Sequence, residues 1–286
     1  MALTINTNVT SLNAQRNLSK TQEALTVSVQ RLSTGLRINS AKDDAAGLAI
    51  SEKLRTQVTG FTVATRNTND GISLAQTAES SLVEVSNNLQ RIRELAVQAK
   101  NGTNSSEDRT ALNNEVTALK EEIARIGKSA NYNGITLLNG AGGDSNNGQI
   151  VIQVGALSTE TITADLSSAN ISALGGGNIT SAGNAGAGNV SDANAAGVLI
   201  ADVDSALIKV NSARASLGAI QNRFSSVVNS LGNSIEAATA SRSRVLDADF
   251  AQETANLTKS QILQQAGVAQ LSQANQLPQV VLSLLR

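Results

Sequence analysis

The chain has 286 residues, and its 22 basic and 23 acidic side chains leave a formal net charge of −1. It contains no His and no Cys, which excludes Ser-His-Asp and Cys-His catalytic sites, His- or Cys-ligated zinc and disulfide bonds. The sequence has no basic stripe for nucleic acid and no apolar run of the roughly 18 residues that a membrane span requires. We therefore expect no enzymatic activity, no cofactor and neither a nucleic-acid nor a membrane partner.

Aromatic residues are scarce, since the chain has three Phe, one Tyr and no Trp. A compact globule of this length normally uses aromatic side chains to fill its core. Here Ala, Leu, Val and Ile must fill it, and these residues suit thin, closely packed helices. The composition therefore predicts a mainly α fold of long, coiled-coil-like helices, and we expect the two chain ends to pack against partner helices.

The first segment, from Ile5 to Leu36, is predicted to be a helix with one apolar face. Its apolar residues recur every three or four positions, with one slip near Gln22. Gly35 and the polar residues after it predict where this helix ends. The residues of this face that we expect to contact partner helices are Ile5, Val9, Leu12, Leu25, Val29 and Leu32.

A second and longer helix is predicted to begin near Asp43 and Asp44 and to run towards Lys100. Adjacent residues point about 100° apart on a helix, so the two carboxylates fit a first-turn role better than an acid/base pair. No compact domain of this size needs so long a helix, which favours assembly over an isolated globule.

A third helix is predicted after the break at Asn101-Gly102. Asn104 or Ser105 is the expected cap at its start, because both side chains can accept a backbone N–H. Later in this helix Glu121 and Arg125 are spaced four apart and are expected to form an ion pair.

The middle of the chain differs in composition from both ends. β-Branched residues are enriched in Ile150–Val154 and Glu160–Leu166, on either side of Gly155, which predicts a small β-hairpin. The stretch Ser167–Asn189 is rich in Gly, Ala, Ser and Asn and almost uncharged, which predicts a surface loop. Hydroxyl groups between Ser158 and Ser191 leave O-linked glycosylation open.

Helical periodicity returns over Val203–Ala238 and again after a polar joint at 242–249. Between Asn256 and Leu285 the segment carries a single charge, on Lys259, and Gln fills its polar positions. Such a helix suits an environment of identical copies, because amides hydrogen-bond to neighbours without accumulating like-charge repulsion. The residues expected to contact partners here are Leu271, Ala274, Val281 and Leu285.

Two blocks near the chain ends carry a more specific signal than periodicity. Their segments are Ile5–Asn8, Arg31–Gly47, Asn69–Ser73, Gln90–Val97, Leu217–Phe224, Ser241–Arg244, Gln261–Gly267 and Val281–Arg286. These segments resemble the amino- and carboxy-terminal signatures of bacterial flagellins. Since only about fifty residues separate the two blocks, which extend over roughly residues 1–140 and 195–286, a short form without large outer domains is expected.

The resemblance implies a structural subunit that polymerises into the bacterial flagellar filament for swimming motility. Such a subunit lies outside the cell and is exported by the flagellar secretion apparatus without a cleaved signal peptide. A flagellar hook–filament junction protein, which shares flagellin-like ends, is the alternative. The composition also fits the helical bundles of chemoreceptors, but those normally bring membrane spans.

The resemblance also implies a division of the chain into domains. Residues 1–40 and 246–286 would be the helices of an inner domain that lines the filament channel. Residues 41–140 and 193–245 would form the helical bundle domain. Residues 141–192 would supply the hairpin and the surface loop.

The partners implied by the resemblance are copies of the chain itself, an export chaperone at the carboxy-terminal helix, and the flagellar cap and hook-junction proteins. Vertebrate Toll-like receptor 5 recognises many flagellins, and the residues that match its motif here are Gln90, Arg91, Leu95 and Glu115. Arg91 and Leu95 lie four positions apart and are expected to share one helix face.

Overall fold

A computed structural model describes residues 7–140, 142, 147–171 and 188–284, without the side chains of residues 168 and 277–284. The helices are α1 (Val9–Thr34), α2 (Ala45–Ala99), α3 (Ser106–Ser129), α4 (Ala193–Leu246) and α5 (Phe250–Leu284). Between α3 and α4 the described residues form the strands β1 (Asn131–Tyr132), β2 (Ile135–Thr136), β3 (Gln149–Gln153) and β4 (Thr161–Asp165), and a 3-10 turn at Ser167–Ala169. The predicted fold class, long helices with a small β-hairpin region, is confirmed.

The chain divides into two compact units. Unit 1 comprises Met1–Val58 and Glu236–Arg286, and unit 2 comprises Thr59–Ile235. Helices α1 and α5 belong to unit 1, whereas α3 and the strands belong to unit 2. Helices α2 and α4 contribute residues to both units.

The helix ends follow the capping chemistry of the sequence. Gly35 ends α1 with a φ of 71°, in the left-handed region that glycine adopts without strain. Asp44 accepts a hydrogen bond from the Gly47 N–H at 2.8 Å at the start of α2. Ser105 and Asp108 form a reciprocal capping box at the start of α3. The break predicted at Gly35 and the helix starts predicted near Asp44 and Ser105 are confirmed.

Within unit 1, the segment after α1 is tied to the end of α4. Leu36 and Asp247 form an antiparallel β-bridge. Arg37 donates its backbone N–H to the Leu246 carbonyl at 2.7 Å, and its guanidinium donates to the Val245 carbonyl at 2.7 Å. These bonds satisfy carbonyl groups that a helix end leaves open, and they place a cation where the helix dipole favours one.

Strands β3 and β4 form the predicted antiparallel hairpin, and each of their four ends lies one residue from its predicted position. Ile152 pairs with Ile162, and both side chains are buried. Alternate residues on the two strands, including Val151, are exposed, as expected for a hairpin with one face on a core.

A second hairpin, β1–β2, was not predicted. Its turn is Asn133-Gly134, where φ is 50° and 82°. Positive φ at both central turn residues is typical of the turns that join two adjacent strands. The Asn-Gly pair was therefore a usable signal, but the strands are only two residues long and show no alternation.

Unit 2 has an aliphatic core to which α2, α3, α4 and both strands of the larger hairpin contribute. Phe224 of α4 is fully buried in it. Other fully buried large side chains are Leu82, Ile92, Leu95, Ile123, Leu199 and Leu217. A core built mainly of Leu, Ile, Val and Ala agrees with the scarcity of aromatic residues.

The ion pair predicted on α3 has a different partner. Arg125 donates to both carboxylate oxygens of Glu122, with its Nη2 at 2.6 Å from Oε1, instead of pairing with Glu121. The spacing of three allows the planar guanidinium to meet the carboxylate through two parallel hydrogen bonds.

Candidate assembly surface

Helices α1 and α5 pack side by side in unit 1, and their contacts run in opposite chain directions. The Ser11 hydroxyl donates to Asn275 Oδ1 at 2.8 Å. Further along α1, Gln264 Nε2 donates to Gln22 Oε1 at 2.7 Å. Near the end of α1, Arg31 Nη1 lies 3.7 Å from Glu253 Oε2. The two helices therefore form an antiparallel pair, which we call the terminal helix pair.

The most deeply buried side chains between the two helices of the terminal helix pair are small or polar, and several leucines beside them are half-buried. Gly267 lies opposite Leu18, where a Cβ would come within 3.4 Å of Leu18 Cδ1. Small residues allow two helix backbones to approach closely but bury little apolar area. The buried residues of the pair are Ser11, Ser28, Glu253, Ser260 and Ala274.

Large apolar side chains of the terminal helix pair are exposed to solvent. Leu12 of α1 is 49% exposed and Ile262 of α5 is 61% exposed. Single exposed apolar residues are ordinary, but a set of them on two paired helices marks an interaction surface. The members of this outward apolar set are Val9, Leu12, Val27, Val29, Ile262, Leu263 and Val268.

The structure separates the residues that the sequence placed on one contact face. Val9, Leu12 and Val29 are exposed, Leu25, Leu32 and Leu271 are half-buried, and Ala274 is buried in the pair. Ile5 and Leu285 lie outside the described residues, as does the side chain of Val281. Within the single chain the apolar residues of α1 are therefore divided between the partner helix and solvent, and the contact face predicted for the filament stays a prediction.

Several exposed apolar residues of unit 1 were missed in the sequence. They are Ile50, Phe250, Ile262, Leu263 and Val268. Ile262 and Leu263 are adjacent in the chain, so a single three- and four-residue pattern cannot include both. The signal available was the near absence of charge between Asn256 and Leu285.

A second candidate surface lies on α2 and α3 in unit 2. Arg91 donates from Nε to Glu115 Oε1 at 2.9 Å and from Nη1 to Glu94 Oε2 at 3.0 Å. The hydrogen bond to Glu115 is the main cause that raises the pKa of Arg91, and the bond to Glu94 adds to it. Gln90 is exposed beside this cluster. The structure thus brings Gln90, Arg91 and Glu115 together on one surface.

Leu95 does not share that surface. It is 1% exposed and belongs to the core of unit 2. Four residues turn a helix by about 400°, so Leu95 is rotated about 40° from Arg91, towards the buried Ile92. Leu95 therefore lies beneath the surface that Arg91 presents, and its part in a receptor contact stays a prediction.

Within the ranges that the structure describes, no group of acidic side chains is arranged to hold a metal ion. In the same ranges, no helix combines the length and apolar character needed to cross a membrane.

Comparison with known proteins identifies the family. The profile of the bacterial flagellin N-terminal helical region matches residues 5–142, and that of the bacterial flagellin C-terminal helical region matches residues 200–285. A flagellin of Halalkalibacterium halodurans is 44% identical over 282 residues, which cover 99% of each chain. A flagellin of Xenorhabdus nematophila is 44% identical over 318 aligned positions, which cover 100% of each chain.

A solved structure agrees with the sequence relatives. The crystal structure of Bacillus cereus flagellin superimposes with a TM-score of 0.50 at 34% identity, covering 58% of this chain and 88% of that one. These findings favour the filament subunit over the hook–filament junction protein. The chain belongs to the bacterial flagellin family and is a structural subunit that polymerises into the extracellular flagellar filament, the organelle of swimming motility.

Proposed function

We propose that the outward apolar set of the terminal helix pair makes the contacts between neighbouring subunits of the filament. The observation that carries the proposal is that seven large apolar side chains of the pair are exposed, while its fully buried positions are mostly small residues. A helix pair that served only to stabilise its own chain would bury the large residues instead, because buried apolar area is the main source of stability. In this proposal the chain acts by assembly and has no catalytic role.

The sequence-derived contact residues take different parts in this proposal. Val9, Leu12 and Val29 belong to the outward apolar set and face other subunits. Leu25, Leu32, Leu271 and Ala274 hold the pair together from within. Ile5, Val281 and Leu285 extend the same contacts towards the chain ends, and residues 1–40 and 246–286 act together as the inner, channel-lining domain.

Charge substitution on the outward apolar set tests the proposal. Leu12→Asp and Ile262→Asp each place a carboxylate at the proposed contact, where an unpaired buried charge costs about 3–5 kcal/mol. Leu157→Asp is the matched control, since Leu157 is 65% exposed in the loop between β3 and β4. We expect both helix-pair variants to remain monomeric after salt-induced assembly, as measured by sedimentation and electron microscopy, while the control forms filaments.

The monomers of all three variants should retain the circular dichroism and the unfolding midpoint of the unmodified chain, because the substituted side chains are exposed. Filaments of normal length and yield from Leu12→Asp and Ile262→Asp would show that the outward apolar set is not the contact. Loss of assembly in Leu157→Asp as well would show that the effect is not specific to the pair.

The same surface suits a chaperone before assembly. We propose that Ile262, Leu263 and Val268 of α5 are covered by the flagellar export chaperone while the subunit awaits secretion without a cleaved signal peptide. The support is their exposure in the free chain and the general need to cover contiguous apolar side chains. Weaker chaperone binding by full-length Ile262→Asp than by Leu157→Asp, measured by calorimetry, is the expected result. The cap and hook-junction proteins are proposed to contact the same terminal region.

Recognition by Toll-like receptor 5 is proposed for the Gln90–Arg91–Glu115 surface of unit 2. The support is the exposure of these side chains and the multiple donors of the arginine, which is a common hot-spot residue in interfaces. Leu95 takes part only by packing beneath Arg91, because it lies in the core.

A further inference from the structure

Among the residues that the structure describes, β3 pairs with β4 along one edge and with no strand along the other, which we call its free edge. At one end of the hairpin Val154 donates its N–H to the Glu160 carbonyl at 2.9 Å, and at the other Leu166 donates to the Gly148 carbonyl at 2.8 Å. Hydrogen-bonded and non-bonded pairs alternate along an antiparallel ladder. The bonded pairs of β3 are therefore those at even residue numbers.

Val151 and its partner Thr163 consequently form a non-bonded pair. The backbone N–H and C=O of each point away from the other strand, at opposite edges of the hairpin. The Val151 side chain is also 63% exposed. The backbone groups of Val151 thus face outwards at the free edge of β3.

At each flanking position on this edge, one outward backbone group is already bonded within the chain. The Gln149 N–H donates to Asn147 Oδ1 at 3.0 Å. The Gln153 carbonyl accepts from Asn67 Nδ2 at 3.2 Å. Val151 is left between them with an N–H and a C=O suited to one residue of an added strand.

The free edge of β3 borders a groove of about 350 Å³. Its lining includes Asp70 and Gly71 of α2, Tyr132 and Ile135 of the smaller hairpin, and Val151 and Gln153 of β3. Asp70 is the one formally charged residue in the lining. A groove with apolar walls, amide groups and a strand edge suits an extended polypeptide better than a charged small molecule.

We propose that this edge and groove bind an extended segment of a second copy of the chain, paired with the Val151 N–H and C=O. Exposed strand edges are templates for pairing with other chains. A second copy is the favoured occupant because the chain polymerises. Its net charge of −1 also means that two copies repel each other only weakly. A strand edge that binds a different segment gives a heterologous contact, which is the kind that an open helical filament requires.

This inference rests on polymerisation of the chain and not on the contacts proposed for the terminal helix pair. It is tested first by proline substitution. Val151→Pro removes the outward N–H, and proline is tolerated at a free strand edge. Thr163→Pro is one control, because it removes an outward N–H from the outer edge of β4 instead. Val151→Thr is a second control, because it changes the side chain but keeps the N–H.

We expect folded Val151→Pro monomer to assemble at least about tenfold less efficiently than the unmodified chain in a sedimentation assay. Thr163→Pro and Val151→Thr should assemble normally. Normal assembly of Val151→Pro would overturn the proposal, and so would an equal loss in Thr163→Pro, because the effect would then lie in the hairpin as a whole.

Thiol labelling gives a second readout that does not depend on the proline variant folding. Because the chain has no Cys, Val151→Cys and Leu157→Cys each carry a single thiol. A water-soluble maleimide should modify Val151→Cys at least about tenfold more slowly in filament than in monomer. Leu157→Cys should react at similar rates in both forms. Equal rates for Val151→Cys in monomer and filament would rule out the docked segment.

Failure of this proposal is distinguishable from failure of the helix-pair contact. If the strand-edge proposal fails, the thiol of Val151→Cys stays reactive in filaments that form normally. If the helix-pair contact fails, Leu12→Asp and Ile262→Asp form filaments as the unmodified chain does.

Discussion

The ring of Phe224 in α4 lies directly against Gly71 in α2. A Cβ at position 71 would be 3.1 Å from Cε2 and Cζ of this ring and 2.6 Å from Cδ1 of Ile152. Gly71→Ala is therefore expected to lower the free energy of unfolding by about 1–3 kcal/mol, the usual cost of overpacking a core. Urea unfolding of the monomer, followed by circular dichroism, measures the change.

Gly218→Ala is the matched control for this prediction. Gly218 also lies inside α4, but a Cβ there would meet no heavy atom within 4 Å. Alanine in an open helical position stabilises by about 0.5–1 kcal/mol relative to glycine. If both substitutions shifted the midpoint in the same direction, the contact between Gly71 and Phe224 would not be what restricts position 71.

The capping box of α3 should make stability depend on acidic pH. Asp108 accepts from the Ser105 N–H at 3.0 Å and from its hydroxyl at 2.9 Å. The backbone bond, followed by the hydroxyl bond, holds the pKa of Asp108 below its ordinary value of 3.8. Its stabilising contribution is therefore fully present above that value and is lost as the pH falls through the lower, folded-state pKa.

We expect Asp108→Asn to remove this part of the acid dependence. Near pH 6 the unfolding midpoint of Asp108→Asn should lie below that of the unmodified chain. Towards about pH 2 the two midpoints should converge. Glu121→Gln, which alters an exposed carboxylate later in α3, controls for the loss of one charge. A constant difference across the whole range would contradict the prediction.

Arg91→Ala monomer is expected to activate Toll-like receptor 5 about tenfold less than unmodified monomer, because truncation of an interfacial arginine removes several donors at once. Lys100→Ala, a change at an exposed cation at the end of α2, should have little effect. A reporter assay in cultured cells makes the comparison. Unchanged potency of the Arg91→Ala monomer would place the receptor contact elsewhere.

The same assay should also separate monomer from filament. We predict that assembly covers part of the Arg91 surface, so crosslinked filament should be a much weaker agonist than monomer. Equal potency of the two forms would show that the surface remains exposed.

The terminal helix pair should open more readily than the core of unit 2 in the free subunit. Its inner face buries Ser11, Ser28 and Ser260, which contribute little apolar area. Amides of Val9–Thr34 should therefore exchange with deuterium orders of magnitude faster than those near Leu82 and Ile92. Mass spectrometry of a verified monomer measures this. Equal protection of the two regions would mean that the pair is stable without neighbouring subunits.

The helix ends were predictable because their causes are local. Gly35 at the end of α1 and Ser105 at the start of α3 act through bonds to residues within one turn. The β3–β4 hairpin was predictable for a similar reason, since its β-branched residues lie on either side of one short loop. In each case the sequence pattern and the element that it predicts involve the same few residues.

The orientation of the end helices was not predictable in the same way. Periodicity gives α1 an apolar side, but α5 determines which residues on that side become buried. Small residues such as Ser28 and Ala274 form the contact, and no hydrophobicity pattern marks them as interior. Leu95 shows the same difficulty in unit 2, where a rotation of about 40° separates the surface from the core.

The hydrogen bond between Ser11 and Asn275 joins residues that are 264 positions apart in the chain. Contacts of such long sequence separation form slowly, because loop closure must precede the contacts that compensate for it. Helix α1 consequently has no helix to pair with until almost the whole chain has become available. Unit 2 lies between the two helices in sequence, so it can fold first, and the terminal helix pair closes last.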